Sequence, residues 1–205
     1  MPLTLACVNP KGGSGKTTIA VHLGVVAHRS GYSAKIVDAD PQGSVVDWSR
    51  RTPEGYDGPP VEHVGKEEPL TPHVEGAEVV MVDSPARLDE RTGAVLSVAD
   101  LALVPVRPSG LDLWGTAEFL DVLADHTGAG LQAAFIASQR DVRTSLSEEL
   151  EEVLAGQGLP LLDGFTFRVA YARSLSEGRT VLDGSDGTAR EEVHQLLRDV
   201  GGLLS

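Results

Sequence analysis

Cysteine is nearly missing from this chain: Cys7 is the only one in 205 residues. A single thiol closes no intrachain disulfide, and iron–sulfur ligation needs more than one. Cys7 lies in an apolar run and reads as a small core residue. Aromatic residues are scarce, at 4%. No apolar stretch approaches the roughly 20 residues that span a bilayer, and no segment has the form of a signal peptide. A cytosolic protein is the expectation. Cations are few, with 17 Lys+Arg against 30 Asp+Glu and a formal net charge of −13. That balance argues against an overall basic nucleic-acid binder and leaves room only for a local basic patch. The six histidines show no metal-ligand spacing, and internal repeats and low-complexity tracts are lacking as well.

What is present is a globular composition, 41% hydrophobic, and a length that suits one domain over residues 1–205. Apolar runs alternate with helical patterns, which predicts parallel strands joined by crossover helices. Strands are expected at 3–9, 33–38, 78–83, 101–105 and 132–138, with weaker ones at 61–64 and 164–168. Helices are expected at 16–30, 45–51, 91–99, 113–126, 146–155 and 189–203. The fold class expected is α/β, a single domain with a mostly parallel twisted sheet and helices on both faces. Residues 52–60, rich in Pro and Gly, read as an excursion within the domain.

The most specific signal is Val8-Asn9-Pro10-Lys11-Gly12-Gly13-Ser14-Gly15-Lys16-Thr17-Thr18, between the first strand and the first helix. Strand, glycine turn and helix is the setting of a phosphate-binding loop. Gly12, Gly13 and Gly15 let backbone N–H groups converge on an anion, and the helix N-terminus adds partial positive charge. Lys16 suits the β- and γ-phosphates, and the Thr17 hydroxyl suits Mg²⁺. Lys11 is an additional cation beside the loop, suited to stabilising charge on a transferring phosphoryl group. Pro10 stands where the general pattern has its first glycine.

Two further strands end in carboxylates. Asp38 and Asp40 alternate at the end of the second strand, followed by Pro41-Gln42-Gly43. Alternate residues on an extended chain point the same way, so both can reach one site beyond the strand end. Pro41 keeps Asp40 extended. The run Val79-Val80-Met81-Val82-Asp83 reads as a Walker B strand, with Asp83 meeting Mg²⁺ directly or through water.

Lys11-Gly12-Gly13-Ser14-Gly15-Lys16-Thr17-Thr18 resembles the deviant Walker A motif of the ParA/MinD ATPases. Asp38-Ala39-Asp40-Pro41-Gln42-Gly43, residues 104–113 and residues 169–181 extend the likeness over nearly the whole chain. Its nearest form is the short ParF-like partition ATPase without an N-terminal helix-turn-helix. The resemblance implies ATP and Mg²⁺ as cofactors and a homodimer in the ATP state. It assigns catalytic roles to Lys11 in trans, Lys16 in cis and Asp40, which would position or activate the attacking water. Residues 11–18 would hold the nucleotide, and Thr17, Asp38 and Asp83 the metal. It further implies ATP-dependent, non-specific DNA binding, nucleoid association and a ParB-like adaptor. Candidate DNA contacts are Arg140, Arg143, Arg168, Arg173 and Arg179. The stretch Ile136-Ala137-Ser138-Gln139-Arg140 lacks the asparagine that many members use to hold adenine.

The leading expectation is a plasmid or chromosome partition ATPase. The alternatives are a ParA-like ATPase that positions a protein cargo and a MinD-like membrane-cycling ATPase. A metabolic enzyme on the same fold would need a dedicated small-molecule pocket, which the sequence does not reveal. The membrane alternative needs a basic amphipathic C-terminal helix. Residues 190–205 carry an apolar stripe with mixed charge, a pattern that more often packs on its own domain.

Overall fold

Mostly apolar runs make strands buried on both faces, the condition of a parallel sheet covered by helices; Val79–Asp83 and Leu101–Val106 are the purest cases, while Ala34–Asp38 carries Lys35 at its second position. The computed structural model describes residues 2–108, 117–140, 154 and 156–204. Among these, seven strands form one sheet: β1 (Leu3–Cys7), β2 (Ala34–Asp38), β3 (Val61–His63), β4 (Val79–Asp83), β5 (Leu101–Val106), β6 (Gln132–Ala137) and β7 (Leu161–Asp163). Their order is β3-β2-β4-β1-β5-β6-β7 and every pairing is parallel. The helices are α1 (Lys16–Arg29), α2 (Ser44–Ser49), α3 (Glu90–Val98), α4 (Ala117–Gly128), α5 (Val169–Ser176) and α6 (Gly187–Leu203). Short 3-10 turns occupy Thr71–Val74 and Val181–Asp183.

The period of two along each strand sorts side chains to two faces. Leu5, Cys7, Ile36, Met81, Leu101, Leu103 and Ile136 join the core on the α1 and α6 side. Ala6, Val8, Val37, Val80, Val82, Val104 and Phe135 join the core that holds Phe119 and Leu123 of α4. Cys7 is buried, as expected of a core residue. The apolar stripe of α6 (Ala189, Val193, Leu196, Val200) is buried in the first core. Asp186 caps that helix through the Ala189 N–H. No helix among the described residues is long and apolar enough to cross a membrane.

Two expectations change. The seventh strand is Leu161–Asp163, not 164–168. Gly164 passes so close to Ala137 that a Cβ would stand 2.4 Å from its carbonyl oxygen. Beyond it only an isolated bridge, Arg140 to Thr166, continues the pairing. Residues 169–176, expected only as a late family segment, form α5. Tyr171 is its one buried residue, with Ala170 and Leu175 packed part-buried against the first core, and eight residues are a short run for a periodic signal. The helix expected at 146–155 lies outside the described residues apart from Leu154, as do Arg143 and Trp114.

Candidate nucleotide site

The carboxyl ends of β1, β2 and β4 meet at one edge of the sheet. Cys7 is in register with Asp83, and Asp38 is in register with Asp83 on the other side. The phosphate loop leaves β1 there. Buried Asn9 anchors it: its Nδ2 donates to the Pro105 carbonyl (2.7 Å), and its Oδ1 accepts from the Lys11 N–H (2.8 Å). Lys16 Nζ donates back to the Lys11 carbonyl (3.1 Å), so both lysines belong to one closed turn. Gly15 enters α1 at φ 103°, and a Cβ there would lie 2.5 Å from Ser138 Oγ. Only glycine meets both demands.

Thr17 Oγ1 donates to Asp83 Oδ2 (2.7 Å). Asp83 Oδ1 and Ser14 Oγ are buried without a partner. Burial pushes the Asp83 carboxyl up to about 7; the nearby Asp38 and Asp40 carboxylates add to this, while the Thr17 hydrogen bond and Lys16 oppose it. Burial also lowers Lys16, against the pull of Asp83 and Asp40. A hydroxyl beside an orphaned carboxylate oxygen is the hard-oxygen donor set that Mg²⁺ takes, with phosphate and water completing its shell. The residues present therefore fit the metal.

Asp38 and Asp40 part company. Asp38 is fully buried and accepts from the N–H groups of Asp40 (3.2 Å), Val45 (2.9 Å) and Val46 (3.1 Å). It caps α2 and fixes the turn that carries Asp40. Burial raises its pKa and those three N–H bonds oppose the rise. Asp40 is partly exposed, with Oδ1 held by the Gln42 N–H (2.9 Å).

Beside the loop is a cleft of about 200 Å³, lined by Thr18, Ser138, Gln139, Phe165, Phe167 and Tyr171 among others. Whole-ligand pockets run to about 300–1,000 Å³, so this one suits a single ring system. Phe165 and Tyr171 stack at 4.6 Å, and Phe167 stands 70% exposed. Gln139 is the only non-glycine residue among those described with positive φ (54°), and its Nε2 donates to the Gly13 carbonyl (2.7 Å). Sequence reasoning gave Ser138 and Gln139 no positive role. The available signal was a polar pair directly after an apolar strand, at the sheet edge where α/β folds bind ligands.

The arginines do not make a bare cationic stripe. Arg140 pairs with Asp163 (2.8 Å), Arg168 with Asp186 (3.4 Å) and Glu192 (3.5 Å), and Arg173 with Glu177 (3.7 Å). Arg179 is exposed, with no ion pair among the described residues, and its carbonyl accepts from Trp48 Nε1 (3.1 Å).

The chain resembles known proteins along its length. The maintenance of carboxysome distribution protein A of Halothiobacillus neapolitanus is 32% identical over 209 residues, covering 96% of this chain and 95% of that protein. The protein of the same name from Gloeobacter kilaueensis is 33% identical over 196 residues, covering 93% and 88%. Among solved structures, the septum site-determining protein MinD of Pyrococcus horikoshii, complexed with Mg-ADP, superposes with a TM-score of 0.78 at 20% identity. That match covers 100% of this chain and 98% of MinD. Residues 5–181 match the CobQ/CobB/MinD/ParA nucleotide binding domain, and the chain belongs to the ParA/MinD family of P-loop ATPases.

Proposed function

We propose that this protein is a Mg²⁺-dependent ATPase whose ATP-bound dimer positions a protein cargo through an adaptor. The observation that carries the chemistry is the convergence of Lys11, Lys16, Thr17, Asp40 and Asp83 at one sheet edge. The cargo reading rests on the names of the two relatives that cover nearly the whole chain.

In this reading Lys16 and the loop N–H groups hold the phosphates, and Thr17 and Asp83 hold Mg²⁺. Bound there, the metal would supply neutralisation of the phosphate charge. Asp40, the accessible carboxylate of its turn, orients water for in-line attack. Lys11 stabilises the developing charge on the nucleotide of the partner subunit. Hydrolysis then requires the dimer and times its lifetime. A membrane-cycling output is disfavoured, because the apolar stripe of α6 is committed to the core.

The test is Asp40→Ala with ATP and Mg²⁺. Phosphate release should fall about 100-fold or more, as for loss of a water-orienting group, while size-exclusion chromatography shows a persistent dimer. Normal turnover would remove Asp40 from this role. The trapped dimer then reports on the track along which the cargo is positioned. Salt-sensitive binding to unrelated duplex DNA, seen with ATP only, would make DNA the track for positioning. No binding at low salt would move the track to a protein scaffold.

A further inference from the structure

Glu192 lies on α6 and is not among the residues that line the small cleft beside the phosphate loop. Its side chain is 14% exposed, and donors converge on both carboxylate oxygens. Oε2 accepts from the Thr166 N–H (3.2 Å) and from the Tyr171 hydroxyl (2.7 Å). Oε1 accepts from the Thr166 hydroxyl (2.6 Å), and Arg168 Nε lies 3.5 Å from it. Arg168 donates from the same Nε to the Thr166 hydroxyl oxygen (2.9 Å) and pairs through Nη1 with Asp186, the cap of α6 (3.4 Å). Thr166, Arg168 and Tyr171 all line the cleft. One carboxylate on α6 thus grips three residues of one cleft wall from outside it.

Little else gives that wall a direction. β7 ends at Asp163, and beyond it only the isolated bridge between Arg140 and Thr166 continues the pairing. α5 buries Tyr171 alone, and Phe167 and Val169, on either side of Arg168, stand 70% and 73% exposed. The stack of Phe165 on Tyr171 contributes apolar contact, which is non-directional. Hydrogen bonds to an ionised acceptor are directional and belong to the strong class. An ionised carboxylate accepts at both ends, whereas an amide has a single acceptor end. The Thr166 and Tyr171 donors, on opposite oxygens, need the carboxylate.

A wall tied in this way is in place before a ligand arrives. With the ties removed, the ligand must order the wall on binding, and that cost is subtracted from its affinity. The phosphate loop hangs from β1 and Asn9 and has no bond to Glu192, so its affinity for phosphates does not carry the cost.

We infer that Glu192 is a positioning residue, through which α6 holds the base wall of the nucleotide cleft in its binding geometry. The inference rests on the nucleotide-binding reading above. It makes α6 part of the frame of the cleft as well as of the core, so a disturbance of this helix reaches the nucleotide at its base and not at its phosphates.

The experiment is competition of ATP and of tripolyphosphate, which has the phosphates but no base, against a fluorescent ATP analogue with Mg²⁺. It compares the unaltered protein with Glu192→Ala and with Glu192→Gln, which keeps the size of the side chain and one acceptor end. In Glu192→Ala the affinity for ATP should fall about 10-fold, the scale of one hydrogen bond to a charged group, while that for tripolyphosphate stays within about twofold. Glu192→Gln should show a smaller loss of the same kind, about threefold, for ATP alone. The urea midpoint falls on either view of Glu192, so the ratio of the two affinities decides. Glu191→Ala removes the neighbouring charge, which pairs with Arg198, and should leave the ratio unchanged. An unchanged ratio in both Glu192 variants, whether the two affinities hold or drop together, would overturn the inference and leave Glu192 as a stabiliser of the fold. An equal loss of ATP preference in Glu191→Ala would overturn it as a general effect of charge. Failure of the unaltered protein to bind ATP would instead fell the nucleotide reading, and this inference with it.

Discussion

The phosphate end and the base end of the cleft are made differently. The phosphate end is one continuous stretch, residues 8–18, completed by aspartates at the ends of neighbouring strands. The base end is gathered from α1, the end of β6, the connection after β7 and α5. One end is a local device whose geometry follows from glycine and a helix N-terminus. The other exists only once distant segments have packed. Damage to the first should appear in ligand affinity, and damage to the second in the stability of the fold.

The largest effect belongs to the phosphate end. Lys16→Ala should weaken ATP binding about 1,000-fold, the loss of roughly two charge-assisted hydrogen bonds. The denaturation midpoint should hardly move, because a cation disfavoured by burial is removed. Calorimetric titration and urea unfolding measure the two quantities. Retained affinity would contradict the phosphate-loop assignment.

At the base end, His22 offers the counterpart. This buried ring lies edge-on to Phe165 and Tyr171 (5.6 and 5.2 Å). Its Nε2 accepts from the Val181 N–H (3.2 Å), so Nδ1 donates to the Thr18 carbonyl (2.7 Å). Burial lowers its pKa from 6.5 to about 4, with the Thr18 hydrogen bond and the Asp183 charge opposing. The folded state binds the proton less readily than the unfolded one. The neutral ring's contribution is therefore complete above pH 6.5 and is lost as the pH falls through about 4. It amounts to about 3 kcal/mol. Asp83 titrates in the opposite sense, so the clean measurement is a difference. The stability advantage of the unaltered protein over His22→Gln should shrink by about 3 kcal/mol between pH 7 and pH 4. A constant difference across that range would mean that His22 keeps an ordinary affinity for protons.

The smallest effect sharpens the comparison where the two kinds of construction touch. Asp38 was expected as a metal residue, yet its carboxylate is engaged by three backbone N–H groups. Asp38→Ala should cost about 1 kcal/mol of stability, the usual worth of a helix cap. ATP affinity should change far less than in Lys16→Ala. An affinity loss matching that of Lys16→Ala would instead support the metal role expected of Asp38 from the sequence.

The same division decides what the sequence could reveal. β1, β2, β4, β5 and β6 are apolar runs with clear ends, and each was found within about two residues. The phosphate loop and Asp83 were legible because glycine spacing and a strand-end carboxylate carry their own geometry. Asp38 and Asp40 looked equivalent on an extended chain; the turn through Gly43 separates them by giving one of them the α2 amides. β7 was misplaced because Leu161–Asp163 is too short to show a period. α5 stayed hidden because it buries only Tyr171. Gln139 was illegible for a related reason. Its hydrogen bond to the phosphate loop depends on a left-handed backbone angle and on a carbonyl 126 residues earlier in the chain.

The cap on α2 has one more consequence. Trp48 lies on that short helix, 3% exposed, with its indole N–H on the Arg179 carbonyl and its ring edge-on to Tyr56 at 6.0 Å. The helix hangs from the turn that holds Asp40. The chain has two tryptophans, Trp48 and Trp114. A Trp114→Phe variant would leave Trp48 as the single indole emitter, wired to the Asp40 turn on one side and to the segment before α6 on the other. Its fluorescence would then follow the nucleotide cycle in real time, without a label.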